Sequence, residues 1–395
     1  MLRHIFKLVW KRKLHHTLLT LEILLAFVVI FAVAAIAVRN AQVYRQPIGM
    51  DYQDVWSVAI ERPDSTAVTA DPDAIDQFRR TVSSLPEVES VGFLTFSPFD
   101  NSSMSTGFAH ADRSGQFDAA SIQADVGAMR VLRVPVEEGR AFLESDSSTE
   151  RLAVINRSMA KRLFGERSPL GQKICNNDDT VNLLRVVGVV DEFRPQGELE
   201  APKPFVIQRF MPGGRGDLRT MVLRLKPGVT RAFQERLEHV LKQIRPGWSF
   251  TVEPLSEKRA QHLREGMIPL IVAAVIGVFL LLMVAFGLFG VLWQSVWRRV
   301  PEIGLRRALG ATEGQIYRQI VAEQLVLSTL AVILALALLV QIPITGAGRD
   351  MLNWSVFAGA ALVSSLVIYL ISLLCALYPG WRASRLHPTE ALHYE

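Results

Sequence analysis

The sequence predicts a membrane α-helical protein with four transmembrane helices and an α+β extracytoplasmic domain of two subdomains. Three observations carry this expectation. Of 395 residues, 50% are hydrophobic, and they concentrate in blocks at 17–38, 268–293, 321–345 and 354–378. Each block is near the roughly 20 residues that cross a bilayer as helix. Residues 40–264 have ordinary soluble composition instead. Basic residues, finally, are distributed unevenly. Arg3, Lys7, Lys11, Arg12 and Lys13 precede the first block, and Arg298, Arg299, Arg306, Arg307 and Arg318 lie between the second and third. The loop between the third and fourth has only Arg349. The positive-inside rule then places the N-terminus, the 294–320 loop and the C-terminal tail in the cytoplasm and the large domain outside. The net charge of +5 and pI near 9.3 reflect these membrane flanks rather than a nucleic-acid surface. Cys175 and Cys375 fall on different sides of this topology, which argues against an internal disulfide.

Residues 1–16 read as a basic amphipathic helix. Leu2, Ile5, Phe6 and Val9 recur at helical spacing, with Arg3, Lys7 and Lys11 on another face. The first span follows at 17–38. Ala32-Val33-Ala34 imitates a cleavage site, but the apolar run exceeds a signal-peptide core, so an uncleaved anchor is expected. Glu22 lies inside the span, either contacting another helix or snorkelling to the interface.

The outer domain, 40–264, opens with strand-like Val55–Ile60. A helix from Pro72 to Leu85 has Ile75, Phe78, Val82 and Leu85 inward, and a strand runs from Val88 to Phe96. The same grammar returns at the end of the domain. Met221–Leu225 is a strand, Thr230–Ile244 a helix and Trp248–Val252 a strand. Two β-α-β halves, 54–96 and 219–254, can join into one sheet with helices on one face. Between them, 97–215 forms an inserted subdomain. Its expected strands are Leu152–Ile155 and Arg185–Val190, its helix Arg157–Phe164, and its turn Pro169-Leu170-Gly171. From 256 to 297 one helix is expected to start outside the membrane and continue as the second span, with Pro269 as a tolerated interruption.

The 298–312 stretch is short, basic and helix-like, and carries no nucleophile, metal cluster or phosphate loop. Pro301 suits a helix start, and Glu302 beside it meets the positive end of the dipole. Glu302 and Arg306 are spaced to pair at i, i+4. Gly310 is a natural stop, and Thr312 with Gln315 matches a capping box for the next helix. A discrete helix over 301–309 therefore lies between the second and third spans. The fourth span, 354–378, ends at Tyr378-Pro379, followed by the tail 379–395.

Glu302-Ile303-Gly304-Leu305-Arg306-Arg307-Ala308-Leu309-Gly310-Ala311-Thr312 resembles the cytoplasmic motif of FtsX-like permeases of ABC transporters, the class that includes MacB-type exporters. Glu323, Leu325 and Leu327 match its continuation, and Pro379–Leu392 resembles the family's C-terminus. Val154–Ser158, Leu163-Phe164, Pro169–Gly171 and Val186–Val190 resemble the MacB-type periplasmic core. Two departures stand out: Pro301 where a basic residue is common, and Gly380-Trp381 in place of a small-then-basic pair.

The resemblance implies an FtsX-like permease domain at about 268–388 in a bacterial inner membrane. It implies that Glu302, Ile303, Gly304, Leu305, Arg306, Arg307, Ala308, Leu309, Gly310 and Ala311 form a coupling helix against an ATPase subunit. A second permease chain, identical or not, is implied, with a periplasmic adaptor and outer-membrane channel as further partners. No G-x-x-x-x-G-K-[ST] loop occurs in the sequence, so ATP and Mg are expected on a separate ATPase, and none of this chain's residues as catalytic, cofactor or metal-binding. The expected function is a non-catalytic permease subunit that relays ATPase motion to the outer domain to export a peptide, drug or lipoprotein. The alternative is an FtsX-like complex that regulates an extracytoplasmic partner enzyme. Asn176-Asn177-Asp178-Asp179 lacks the spacing of a Ca²⁺ loop and reads as a turn.

Overall fold

The computed structural model describes residues 13–63, 72–100, 102, 104–147, 149–176, 179–211, 218–346 and 352–385. The expectations for residues 1–12, 177–178, 212–217 and 386–395 fall outside the described residues. Two compact units emerge, an outer unit Val43–Gly266 and a membrane unit Met1–Gln42 with Met267–Glu395.

The two expected β-α-β halves of the outer unit are β1 (Val55–Glu61), α2 (Pro72–Ser83) and β2 (Val88–Leu94), then β10 (Thr220–Leu225), α5 (Ala232–Ile244) and β11 (Ser249–Pro254). They interleave as β11-β1-β10-β2, every neighbour antiparallel, with Val58 opposite both Val252 and Met221. This is the 4-1-3-2 order of a split β-α-β sheet. Trp56, Val58, Ile60, Val91, Phe93, Met221 and Leu223 turn one face to Phe78 and Val82 of α2 and to Phe233, Leu237 and Leu241 of α5. Each such side chain, fully buried, contributes on the order of 1.5–3 kcal/mol.

Between the halves lie β3 (Met104–His110), β4 (Phe117–Ala124), α3 (Val126–Val131), β5 (Val136–Gly139), β6 (Leu152–Asn156), α4 (Arg157–Phe164), β7 (Lys173–Asn176), β8 (Asp179–Val190) and β9 (Phe205–Arg209). The order β4-β3-β7-β8-β6-β9 closes on itself, because β9 returns to β4 in parallel from Ala120↔Phe205 to Ala124↔Arg209. Phe108, Ala119, Ile155, Ile174, Val186 and Val206, one from each ring strand, share a core with Met159, Leu163 and Phe164 of α4. The insert is less separate than its sequence suggests. A ladder pair, Leu94↔Ala124, joins the ring to the first sheet, and Val55, Leu94 and Val222 share a core with Ile122, Val154 and Phe205. α3 lies so close on β2 that a Cβ at Gly92 would overlap the Ala128 backbone.

The long helices are α1 (Lys13–Tyr44), α6 (Leu255–Arg298), α8 (Glu313–Leu339) and α10 (Trp354–Ser384), with short α7 (Val300–Ala308) and α9 (Gln341–Thr345). All four long helices are long and apolar enough to cross a membrane. Several bounds differ from the sequence reading. α1 continues past 38 to Tyr44, since Arg39, Asn40 and Gln42 are polar without breaking helix. The third span is interrupted after Leu339. α10 passes through Pro379 and ends at Ser384, so 379–384 belongs to the helix rather than to a tail. Pro379 lacks an N–H, and a helix can absorb that loss where neighbouring groups compensate.

In the membrane unit, α8 and α10 pack through small residues: Ala331, Ala335, Ala360 and Ala376 are buried. Ser328 Oγ donates to Ser372 Oγ at 2.7 Å, and the Tyr369 hydroxyl to Thr329 Oγ1 at 3.0 Å. Glu22 faces a partner helix, with its carboxylate against Gly287 of α6, where any Cβ would collide with it.

In the outer unit, Arg194 is 2% exposed and its guanidinium is consumed by backbone carbonyls. It donates to Val43 O in the last turn of α1, to Gln46 O and Pro47 O just beyond, and to Glu198 O and Glu200 O. A cation at a helix C-terminus also meets the negative end of the dipole. Burial lowers its pKa, while Glu198, Glu192 and Glu200 pull it back up. Arg194→Met strips these carbonyls of donors, at about 1–3 kcal/mol for each group left buried and unpaired. The expected result is a loss of about 3 kcal/mol or more, read as a lower melting temperature of the full chain in detergent; an unchanged melt would contradict the assignment.

Candidate functional site

The stretch singled out by sequence folds as α7 between two well-made ends. Pro301 occupies its second helical position, where no intrahelical donor is needed. At the other end Gly310 takes φ +95°, a conformation glycine adopts without strain. The Ala311 N–H bonds Arg306 O and the Gly310 N–H bonds Arg307 O, both at 3.0 Å, the paired closure of a Schellman motif. The next helix starts at once, with the Thr312 N–H donating to Gln315 Oε1 at 3.1 Å.

One side of α7 is buried. Ile303 joins Val296, Ile316 and Ala383 in a small core of its own, with Ala311 and Ile320 against it. Gly304 is buried beside it. The arginines do not face outward as free charges. Arg306 bonds Glu302 at 2.6 Å and Gln319 Oε1 at 2.7 Å, Gln319 Nε2 donates to Glu323 Oε1 at 3.0 Å, and Arg299 Nη1 meets Glu323 Oε2 at 2.5 Å. This chain of contacts runs from α7 along α8 and back to the end of α6. Arg299 and Glu323 are both largely shielded, so the pair is stronger than an exposed one. Arg307 pairs with Glu313 at 3.3 Å.

What α7 offers outward is apolar: Leu305 is 57% and Leu309 80% exposed, flanked by Pro301, Glu302, Ala308 and Gly310. The ten expected contact residues therefore divide. Ile303 and Gly304 face inward, Arg306 and Arg307 are half-buried fasteners, Ala311 is partly covered, and Glu302, Leu305, Ala308, Leu309 and Gly310 form the open face. Sequence reasoning missed Arg299 and Gln319 as parts of the site. The signal was present in the i, i+4 pair Gln319 and Glu323 at the start of an apolar block, where two polar side chains need partners.

The outer unit holds a cleft of about 390 Å³ lined by Ile75, Asp76, Arg79, Asp125, Glu144 and Arg209 together with Val126, Phe210 and Leu218. Asp125 caps α3, accepting from the Ala128 N–H at 2.7 Å and the Phe93 N–H at 2.9 Å, and pairs with Arg79 at 2.7 Å. Burial raises its pKa against the pull of Arg79 and the two amides.

Residues 17–240 match the MacB-like periplasmic core domain and residues 274–388 the FtsX-like permease C-terminal domain. The chain belongs to the FtsX/MacB-type family of ABC transporter permeases. Among relatives of this FtsX/MacB-type permease, the macrolide export ATP-binding/permease protein MacB of Bdellovibrio bacteriovorus is 31% identical over 277 residues, 65% of this chain and 41% of the relative. The uncharacterized ABC transporter permease YknZ of Bacillus subtilis is 28% identical over 279 residues, 68% of each chain. The permease thus spans less than half the length of that MacB. The crystal structure of the periplasmic region of MacB from Actinobacillus actinomycetemcomitans aligns with 56% of this chain and 98% of its own, at 16% identity and a TM-score of 0.40.

The division of α7 is testable by stability alone. Leu305→Glu and Leu309→Glu, on the open face, should change unfolding by no more than about 0.5 kcal/mol. Ile303→Ala, in the small core, should cost about 2 kcal/mol or more. Thermal unfolding of the purified chain in detergent reads both, and equal losses at 303 and 309 would contradict the assigned faces.

Proposed function

We propose that this permease transmits the motion of a separate ABC ATPase subunit to its outer domain, and that this motion drives export of an amphiphilic cargo such as a peptide, drug or lipoprotein. Two permease chains would work with two ATPases, with ATP and Mg bound on the latter, in a bacterial inner membrane. Both termini and α7 lie in the cytoplasm in this reading, and an adaptor with an outer-membrane channel would complete the path where one is used. The observation that carries the reading is α7 itself: a capped helix that offers Leu305 and Leu309 outward while Arg299, Arg306 and Arg307 fasten it inward. A displacement of such a helix passes to its neighbours instead of being absorbed as local bending.

Two further facts support the relay. α6 is one helix of 44 residues from Leu255 to Arg298, beginning in the outer unit and ending one residue before the loop's ion pair. Its first turns are tied within the outer unit by Arg259 to Glu198 at 2.6 Å and Lys258 to Asp100 at 2.9 Å. A continuous helix whose first turns are anchored in this way is what a mechanical relay requires. Names among the relatives, export ATP-binding/permease protein and ABC transporter permease, agree with this role.

The test is purification of the chain from its native membrane, followed by identification of what accompanies it and assay of ATP hydrolysis. An ABC ATPase should co-purify, and the double variant Leu305→Glu/Leu309→Glu should lose at least about tenfold in recovered ATPase, the effect of some 1.4 kcal/mol at the contact. Undiminished co-purification with the double variant, or the absence of any ATPase, would sink the proposal.

A further inference from the structure

The ends of α6 and α10 carry a second surface that the relay does not use. Phe289, Trp293 and Trp297 on α6 meet Tyr378 and Trp381 on α10 as a continuous plate of rings. Trp293 and Tyr378 are stacked at 5.8 Å with 11° between their planes, and Phe289 approaches Tyr378 at 6.2 Å. Tyr378 and Trp381 are about half exposed. Two guanidiniums cover the edge of this plate: Arg382 lies 5.9 Å from the Trp293 centroid and Arg385 4.5 Å from that of Trp381.

These two arginines differ from those of the neighbouring loop. Arg299, Arg306 and Arg307 each hold a carboxylate, whereas among the described residues no carboxylate pairs with Arg382 or Arg385. Both are exposed. A guanidinium stacked on a ring keeps its in-plane N–H donors free, in the fork geometry that matches a phosphate. Away from the helix ends the plate passes into plain hydrocarbon surface, with Met283, Phe286 and Leu374 exposed along the spans. The surface is therefore cationic at one end, aromatic in the middle and apolar at the other. An occupant that matches all three zones has an anionic head and a hydrocarbon tail. Aromatic rings favour the headgroup level of a bilayer, and a membrane surface containing anionic lipids attracts basic side chains there.

We infer that the aromatic plate with Arg382 and Arg385 is a binding site for an anionic phospholipid of the leaflet at that end of the helices, its phosphate held by the two guanidiniums and its acyl chains lying along α6 and α10. The site borders the coupling helix, because Ala383, between the two arginine-bearing turns, packs in the core of Ile303. Lipid seated there braces the element that carries α7. Gly380-Trp381, which departs from the family pattern, is what provides the outermost ring of the plate.

The test uses the full chain in phosphatidylcholine vesicles in which a fraction of the lipid is brominated phosphatidylglycerol or, in parallel, brominated phosphatidylcholine, with tryptophan fluorescence as readout. Brominated phosphatidylglycerol should quench with an apparent preference of at least about fivefold, the effect of a single arginine near an anionic surface. Trp381→Phe should reduce the preferential signal, leaving a remainder from Trp293 and Trp297, and an unreduced preference would overturn the placement. Arg382→Gln/Arg385→Gln should abolish the preference and leave quenching by brominated phosphatidylcholine unchanged, which shows that the variant still inserts. Equal quenching by the two lipids in the natural chain, or a preference that survives the double variant, overturns the inference. Quenching by neither lipid also overturns it, since a second copy of the chain then covers the plate. No ATPase is needed for this readout, so its outcome is independent of the proposed relay.

Discussion

The ion pair between Arg299 and Glu323 is the constraint on which the arrangement around α7 depends. It joins the residue that follows α6 to Glu323, about three turns into α8, and Gln319 extends it to Arg306 and so to α7. A loop between two membrane helices has few apolar residues with which to hold itself in place; here the core is Ile303 with a handful of neighbours. The polar chain supplies the remainder. Because the arginines are occupied in this way, the outward face of α7 is left to Leu305 and Leu309. A stretch that is basic in the sequence exposes apolar side chains, Leu305 and Leu309, in the fold.

A similar economy governs the outer unit, where Arg194 is used as a source of donors instead of as a charge that meets a carboxylate. Its bonds to the carbonyls at the end of α1 and to those of Glu198 and Glu200 satisfy groups that would otherwise be buried without partners. Glu198 in turn receives Arg259 from the first turns of α6. The end of one membrane helix and the start of the next are thus held by the same short segment, 194–200.

Much of this was legible in the sequence because it rests on local rules. The β-α-β halves follow from alternating apolar residues and from the faces of Ile75-Phe78-Val82 and Phe233-Leu237-Leu241. The ends of α7 follow from Pro301, Gly310 and Thr312, whose backbone preferences act over one or two residues. Non-local features were not legible. Closure of the insert into a ring depends on β9 returning to β4, a pairing across some 80 residues that no periodicity encodes. The continuation of α10 through Pro379 is not legible either, because a proline reads as a stop while the outcome is set by packing: Pro379, Gly380 and Ala383 are buried. The inward use of Arg306 and Arg307 was hidden for the same reason, since charge is visible in a sequence and its partner is not.

The central claim is that α7 meets an ATPase through Leu305 and Leu309. Placing a photo-activated cross-linking residue at position 309, and at buried position 303 as a control, tests it in the intact membrane. Irradiation should yield an adduct to an ABC ATPase from position 309 and none from position 303. No ATPase adduct at 309, or an equal adduct from an outer-domain surface position such as Glu89, would contradict the account.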